Sequence, residues 1–286
     1  LKQIFAFHGF EISEAMLFGL GSGLSWFYME NKAVPFPIIS GRTKPLDFEN
    51  GLSENTGIKI TVNKTSSVKK AWAGLQKTIE YNKPVMLYAD MACLNYLNMP
   101  KDAHFGGHSV VVYGIDEVNK VAYVSDRDGK DNLLNVNGKI LDNDYYLVSF
   151  EELSDARNSK HGPFPAQNKW LEFDFNSFIG VTPEMIHKAI SKNLEELLNP
   201  PIKNLSISGI EKFSKAILKW REFSDVKLKA SAINSFFMID ERGGTGGAAF
   251  RKMYADFLQE ASIVCNEKIL DLLGKDYLSI TEDWNI

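Results

Sequence analysis

The chain has 286 residues, 44% hydrophobic and 24% charged, with a formal net charge of -4. That length supports one large or two ordinary domains, each with a core, and the composition is that of an ordinary globular protein. No basic surplus favours nucleic acid or an anionic membrane surface, and every uninterrupted apolar stretch is of strand length, too short to span a bilayer.

Leu1, Ile4 and Phe5 recur at helical spacing and Gly9 follows as a stop, so the chain is expected to open in the second half of an amphipathic helix. An average helix of about 11 to 12 residues would begin a few residues ahead of Leu1. Glu11 to Phe18 carries the polar cap and apolar spacing of a short helix, with Ser13 or Glu11 near its start. Gly19, Gly21 and Gly23 then alternate, a pattern that lets backbone approach another segment or a ligand. Gly21, Ser22 and Gly23 are candidate substrate contacts, and tight packing beneath Trp26 and Phe27 is the structural alternative. The spacing is neither the dinucleotide fingerprint nor a phosphate loop.

The Pro- and Gly-rich stretch from Pro35 to Gly57 predicts one strand within extended loops. Gly57 to Val62 alternates as a strand, and Ser66 to Tyr81 predicts a helix with Val68, Trp72, Leu75 and Ile79 on one face. Val85 to Asp90 predicts a buried strand. Cys93 follows it with apolar neighbours, as a buried thiol that packs like a small apolar residue; as a nucleophile it is the minor alternative. Cys93 and Cys265 lie far apart, with no metal-type spacing and no disulfide framework, which suits a reducing cytoplasm. No metal or cofactor is expected.

His104 to Asp116 and Val121 to Asp126 predict a β-hairpin, a β-branched run opened by a histidine and a second run ending on an aspartate. Such a hairpin can hold an imidazole and a carboxylate side by side, half of a nucleophilic triad. His108 and Asp126 are its candidate members, and Gly107 is a candidate substrate contact. His104 is read as a solvated loop histidine, with a substrate contact as the alternative. The acid-dense run from Asp126 to Asp131 lacks the ligand pattern of a calcium loop.

Tyr145 to Val148 predicts another strand, Ser149 to Leu153 a short helix, and Trp170 to Phe175 a strand able to join the first domain's sheet. From Thr182 the character turns helical: Met185 to Leu198, Ser208 to Ser224, Ser231 to Ile239, and one long helix from Phe250 to Leu273. Asp240 to Gly247 is a glycine cluster before that last helix. Its Arg242, Gly244 and Thr245 are candidate ligands for an anion or carboxylate, helped by Arg251. The alternative is a helix–helix turn whose arginines pair with Asp240 and Glu241.

The histidine hairpin resembles the His and Asp half of papain-like cysteine enzymes, most closely the double-glycine peptidases. Three motifs in order, Ile12 to Leu24, Gly107 to Gly114 and Arg242 to Arg251, resemble the family of butirosin biosynthesis protein H. The resemblance spans most of the chain. It implies an α+β fold with a papain-like domain over 1–178, truncated at its front, and a helical domain over 179–286. It further implies acyl transfer from an acyl carrier protein, or another acyl thioester, to a small-molecule amine, with His108 as base and Asp126 as its orienter. The nucleophilic cysteine is then expected ahead of Leu1. A peptidase or amidase, and a non-catalytic binding protein, are the alternatives, and the sequence leaves self-association open.

Overall fold

The structure, a computed structural model, describes residues 1–30, 36–126, 145–162, 164–241 and 245–284. It is mixed α and β, with antiparallel sheet and a helical C-terminal part, as expected. The chain packs as two compact units, residues 1–12 with 59–176, and residues 13–58 with 177–286. The second unit joins residues 13–58 to the C-terminal helices. Among the described residues no helix is long and apolar enough to cross a membrane.

The first unit is built on an antiparallel sheet of β3 (Lys59–Asn63), β4 (Val85–Ala89), β5 (His108–Asp116), β6 (Val121–Ser125), β7 (Tyr146–Ser149) and β8 (Trp170–Asp174), in the order β3-β8-β4-β5-β6-β7. Alternation sets its core face. Val85, Leu87 and Ala89, Val110 and Val112, Ala122 and Val124, and Tyr146 and Val148 form one buried cluster, because every second side chain points the same way. Each fully buried aliphatic side chain there is worth about 1.5–3 kcal/mol. The predicted helix over 66–81 appears as α4 (Val68–Glu80), where the Ser67 hydroxyl accepts the Lys70 N–H. Trp72, Leu75 and Ile79 meet the core cluster. Helix α5 (Phe150–Asn158) is capped by Ser149 and buries Leu153 and Ala156. The short α1 (Lys2–Phe7) sets Phe5 edge-on to Phe175, ring centres 4.9 Å apart.

In the second unit α2 (Glu14–Leu20) starts at Ser13, whose hydroxyl accepts the Met16 N–H. Strands β1 (Leu24–Met29) and β2 (Ile38–Arg42) pair antiparallel. The stretch after them was expected as loop, yet it forms α3 (Asp47–Thr56). Its signal is masked by Pro45, Asn50 and Gly51. Its stability comes from the Leu46 N–H held by Glu49 at 2.7 Å, from burial of Phe48 and Leu52, and from a left-handed Gly57 at its end. Helices α6 (Pro183–Leu198), α7 (Ser206–Ile217) and α8 (Asp225–Ile239) follow. Ser224 was read as a helix end, but its hydroxyl caps the start of α8 by accepting the Lys227 N–H. The long final helix is in fact two, α9 (Arg251–Cys265) and α10 (Lys268–Trp284), broken at Asn266, whose φ of 55° is left-handed. Asparagine tolerates that conformation better than most residues, and the helices pack on each other beyond it.

Candidate functional site

His108 opens β5 and Asp126 directly follows β6. They share the parity of the buried residues Val110, Val112, Ala122 and Val124, so both stand at the end of the core row. His108 Nε2 lies 2.7 Å from Asp126 Oδ1, and the two side chains are 19% and 1% exposed. The carboxylate is an acceptor, so it selects the tautomer with the proton on Nε2 and leaves Nδ1 as the basic nitrogen. The Tyr96 hydroxyl donates to Asp126 Oδ2 at 2.7 Å. Its ring stacks on that of Tyr146, centres 4.0 Å apart. This arrangement can orient an imidazole, accept a proton at Nδ1 and stabilise the imidazolium that results.

A second imidazole is held nearby. His104, expected to be solvated at a loop tip, is instead 24% exposed, with Nδ1 2.8 Å from Oδ2 of the fully buried Asp90. The same Oδ2 accepts from Ser159 Oγ at 2.5 Å, while Oδ1 accepts from the N–H groups of Phe105 at 3.0 Å and Ala92 at 3.2 Å. Burial alone would raise the Asp90 carboxyl, but these hydrogen bonds outweigh it and hold it below its ordinary value. The His104 ring stacks on His161, centres 3.6 Å apart. Cys93 lies close to this carboxylate. Burial, then the charges of Asp90 and Asp155, push its thiol up, which disfavours the thiolate a nucleophile needs.

The other candidates are placed differently. Gly21 and Gly23 are closed off by rings: an added Cβ would come within 2.3 Å of Phe48 and 2.5 Å of Phe18. Ser22 is buried, donates to the Ala189 carbonyl at 3.0 Å and accepts from Asn55 Nδ2 at 3.0 Å. These three therefore serve packing within the second unit and present no free face to a substrate. Gly107 is tight between Phe105 and Phe164, where a Cβ would stand 3.0 and 3.2 Å away.

In the C-terminal glycine cluster, Arg242 and Gly244 lie outside the described residues, as does the acid-dense run after Asp126. Thr245 is buried and turned inward, donating to the Met238 carbonyl at 3.0 Å and accepting the Gly247 N–H at 3.3 Å. Gly246, Gly247, Ala248, Ala249 and Phe250 all have positive φ, which costs about 1–2 kcal/mol at each non-glycine residue. Arg251 Nη1 holds this left-handed turn through the carbonyls of Ala248 (3.4 Å) and Ala249 (3.0 Å). Its guanidinium lies 4.4 Å from the Trp284 ring, and burial lowers its pKa to about 10. Arg251 thus engages backbone carbonyls and the rings of Trp26 and Trp284.

Sequence reasoning missed Tyr96, Asp90, Ser159 and His161. For Asp90 a signal was present: Val85 to Asp90 is an apolar run ending on an aspartate, the same pattern that marks Val121 to Asp126. Tyr96 sits in a loop without periodicity and has no such mark. Among the described residues no group of three or more His, Cys, Asp or Glu side chains could hold a metal ion.

Residues 1–127 match the family described as butirosin biosynthesis protein H, N-terminal. Residues 151–286 match a domain of unknown function, DUF4872. No curated protein matches the chain significantly.

Proposed function

The chain belongs to the butirosin biosynthesis protein H family, and from that premise we propose that its part in antibiotic biosynthesis is thiol-dependent acyl transfer to an amine. The observation that carries the reading is the His108–Asp126 pair, closed at 2.7 Å on Nε2 with the carboxylate side chain 1% exposed. A papain-like arrangement asks for this: a buried acceptor on one ring nitrogen and the other turned to a thiol.

In the proposed reaction Nδ1 of His108 takes the proton of the nucleophilic thiol, and the thiolate adds to the carbonyl of an acyl thioester. That addition forms the enzyme–acyl C–S bond; the tetrahedral adduct then collapses, the donor's C–S bond breaks, and the donor's thiol leaves with the proton from the imidazolium. An acceptor amine then adds to the acyl-enzyme, Nδ1 takes the amine proton, and the enzyme thiolate departs and recovers it as the amide is released. Asp126 keeps the imidazole oriented and compensates its transient charge throughout. Tyr96 fixes the second oxygen of Asp126. Cys93 is poorly suited to be that thiol, because burial and the charges of Asp90 and Asp155 push it up. An acyl carrier protein as donor and a small-molecule amine as acceptor complete the proposal.

The test uses the full-length protein and an acyl thioester of N-acetylcysteamine as probe, followed by intact mass. The expected result is a single acyl adduct, discharged by an added amine as the amide and lost in His108→Ala. An adduct that discharges only to water makes the protein a hydrolase. No adduct in the wild-type protein removes the acyl-enzyme and the reading with it.

A further inference from the structure

The pairing of β4 and β5 ends where Ala89 faces His108. Between these residues the chain runs out through short turns at Met91–Cys93 and Asn95–Leu97, then returns through His104 and Phe105. One excursion therefore carries Tyr96 on its way out and delivers His108 at its end. Its two limbs are joined at the neck. Met91 N–H donates to the Phe105 carbonyl at 3.1 Å, and Phe105 N–H donates back to Asp90 Oδ1 at 3.0 Å.

Asp90 is the centre of this neck. Its carboxylate takes the Ala92 N–H on the outgoing limb, the Phe105 N–H and the His104 ring on the returning limb, and Ser159 from the end of α5. Its own N–H donates to the Ala156 carbonyl at 2.9 Å. The side chain is wholly buried, so these bonds are sheltered from competing water. Just beyond, the returning limb has no slack: a Cβ on Gly106 would stand 2.4 Å from the Ala166 nitrogen. A carboxylate that accepts four hydrogen bonds has little capacity left to move a proton. What it does instead is fix where backbone goes.

We infer that Asp90, assisted by His104, is a positioning residue for the His108–Asp126–Tyr96 constellation. It clasps the base of the loop that bears both His108 and Tyr96, and so fixes their distances to Asp126. The inference rests on reading His108 as the base of the proposed reaction, and the two can fail separately.

The test is imidazole proton–nitrogen NMR of the full-length protein labelled at histidine, for the wild type, Asp90→Asn and His104→Ala, with circular dichroism to verify folding. In the wild type the His108 Nε2–H, bonded to Asp126, marks one tautomer. Asp90→Asn is expected to speed solvent exchange of that proton at least threefold, or to mix its tautomers. His104→Ala, which keeps three of the four donors, is expected to produce a smaller change of the same kind. His187, paired with Glu267 in the other unit at 3.0 Å, is the internal reference and stays unchanged. Should Asp90→Asn not fold, His104→Ala decides. A folded variant with an unaltered His108 signal overturns the clasp and leaves the functional reading untouched. A His108→Ala protein that still forms and discharges the acyl adduct overturns the functional reading and leaves the clasp standing.

Discussion

Two carboxylate–imidazole pairs stand at the same end of one sheet, and among the described residues they differ in what the carboxylate holds. Asp126 grips His108 by Nε2 and Tyr96 by its hydroxyl, both side chains. Asp90 grips His104 by Nδ1 but also two backbone N–H groups, on opposite limbs of one loop. A carboxylate bonded to side chains sets a tautomer and an angle; one bonded to backbone sets a path. The same two residue types thus support different tasks, because one pair ends a hairpin and the other closes a loop.

The comparison breaks most sharply at His108. Replacing it with alanine is expected to lower acyl transfer to the thioester probe about a thousandfold or more, in the range of a lost general base. Asp126→Asn comes next, at about a hundredfold or more, since the amide leaves the ring in place but no longer selects its tautomer. Turnover equal to wild type in either variant would put the chemistry elsewhere.

Tyr96→Phe keeps the ring that stacks on Tyr146 and removes only the hydroxyl bonded to Asp126. One hydrogen bond to a charged acceptor is worth about 1.5 kcal/mol, so turnover is expected to fall about tenfold, measured as kcat/KM on the same probe.

The other pair should show itself first in stability, and in chemistry only through the placement of His108 and Tyr96. Because hydrogen bonds hold the Asp90 carboxyl below its ordinary 3.8, its contribution is complete above that value and is lost as pH falls through the lowered one. Urea unfolding midpoints measured from pH 5 downward should decline on acidification, and Asp90→Asn should shallow that decline; parallel slopes would remove Asp90 from the acid limb. The smallest effect is expected at Cys93, whose raised thiol predicts slow alkylation by iodoacetamide at neutral pH and unchanged transfer in Cys93→Ser.

Local signals made much of this molecule legible. Apolar spacing marked α4, and a β-branched run opened by a histidine, with a second run ending on an aspartate, marked β5 and β6. Where the signal was local but contradicted by composition, as in α3 with its Asn50 and Gly51, reading failed because burial of Phe48 and Leu52 outweighs propensity. The break at Asn266 was missed for the opposite reason, since the apolar period runs through a residue that turns left-handed only because α10 folds back on α9.

From residue types and spacing alone, the sequence determined the β-branched strand opened by His108, the aspartate after its partner, and the helical character beyond Thr182. Strand period and capping are properties of a few neighbouring residues, so they survive without the fold. Tertiary structure alone decided that residues 13–58 pack with the C-terminal helices, that Tyr96 reaches Asp126, and that Asp90 gathers donors from as far away as Ser159. Those contacts join segments with no shared period, and only the packing of the chain brings them within bonding distance.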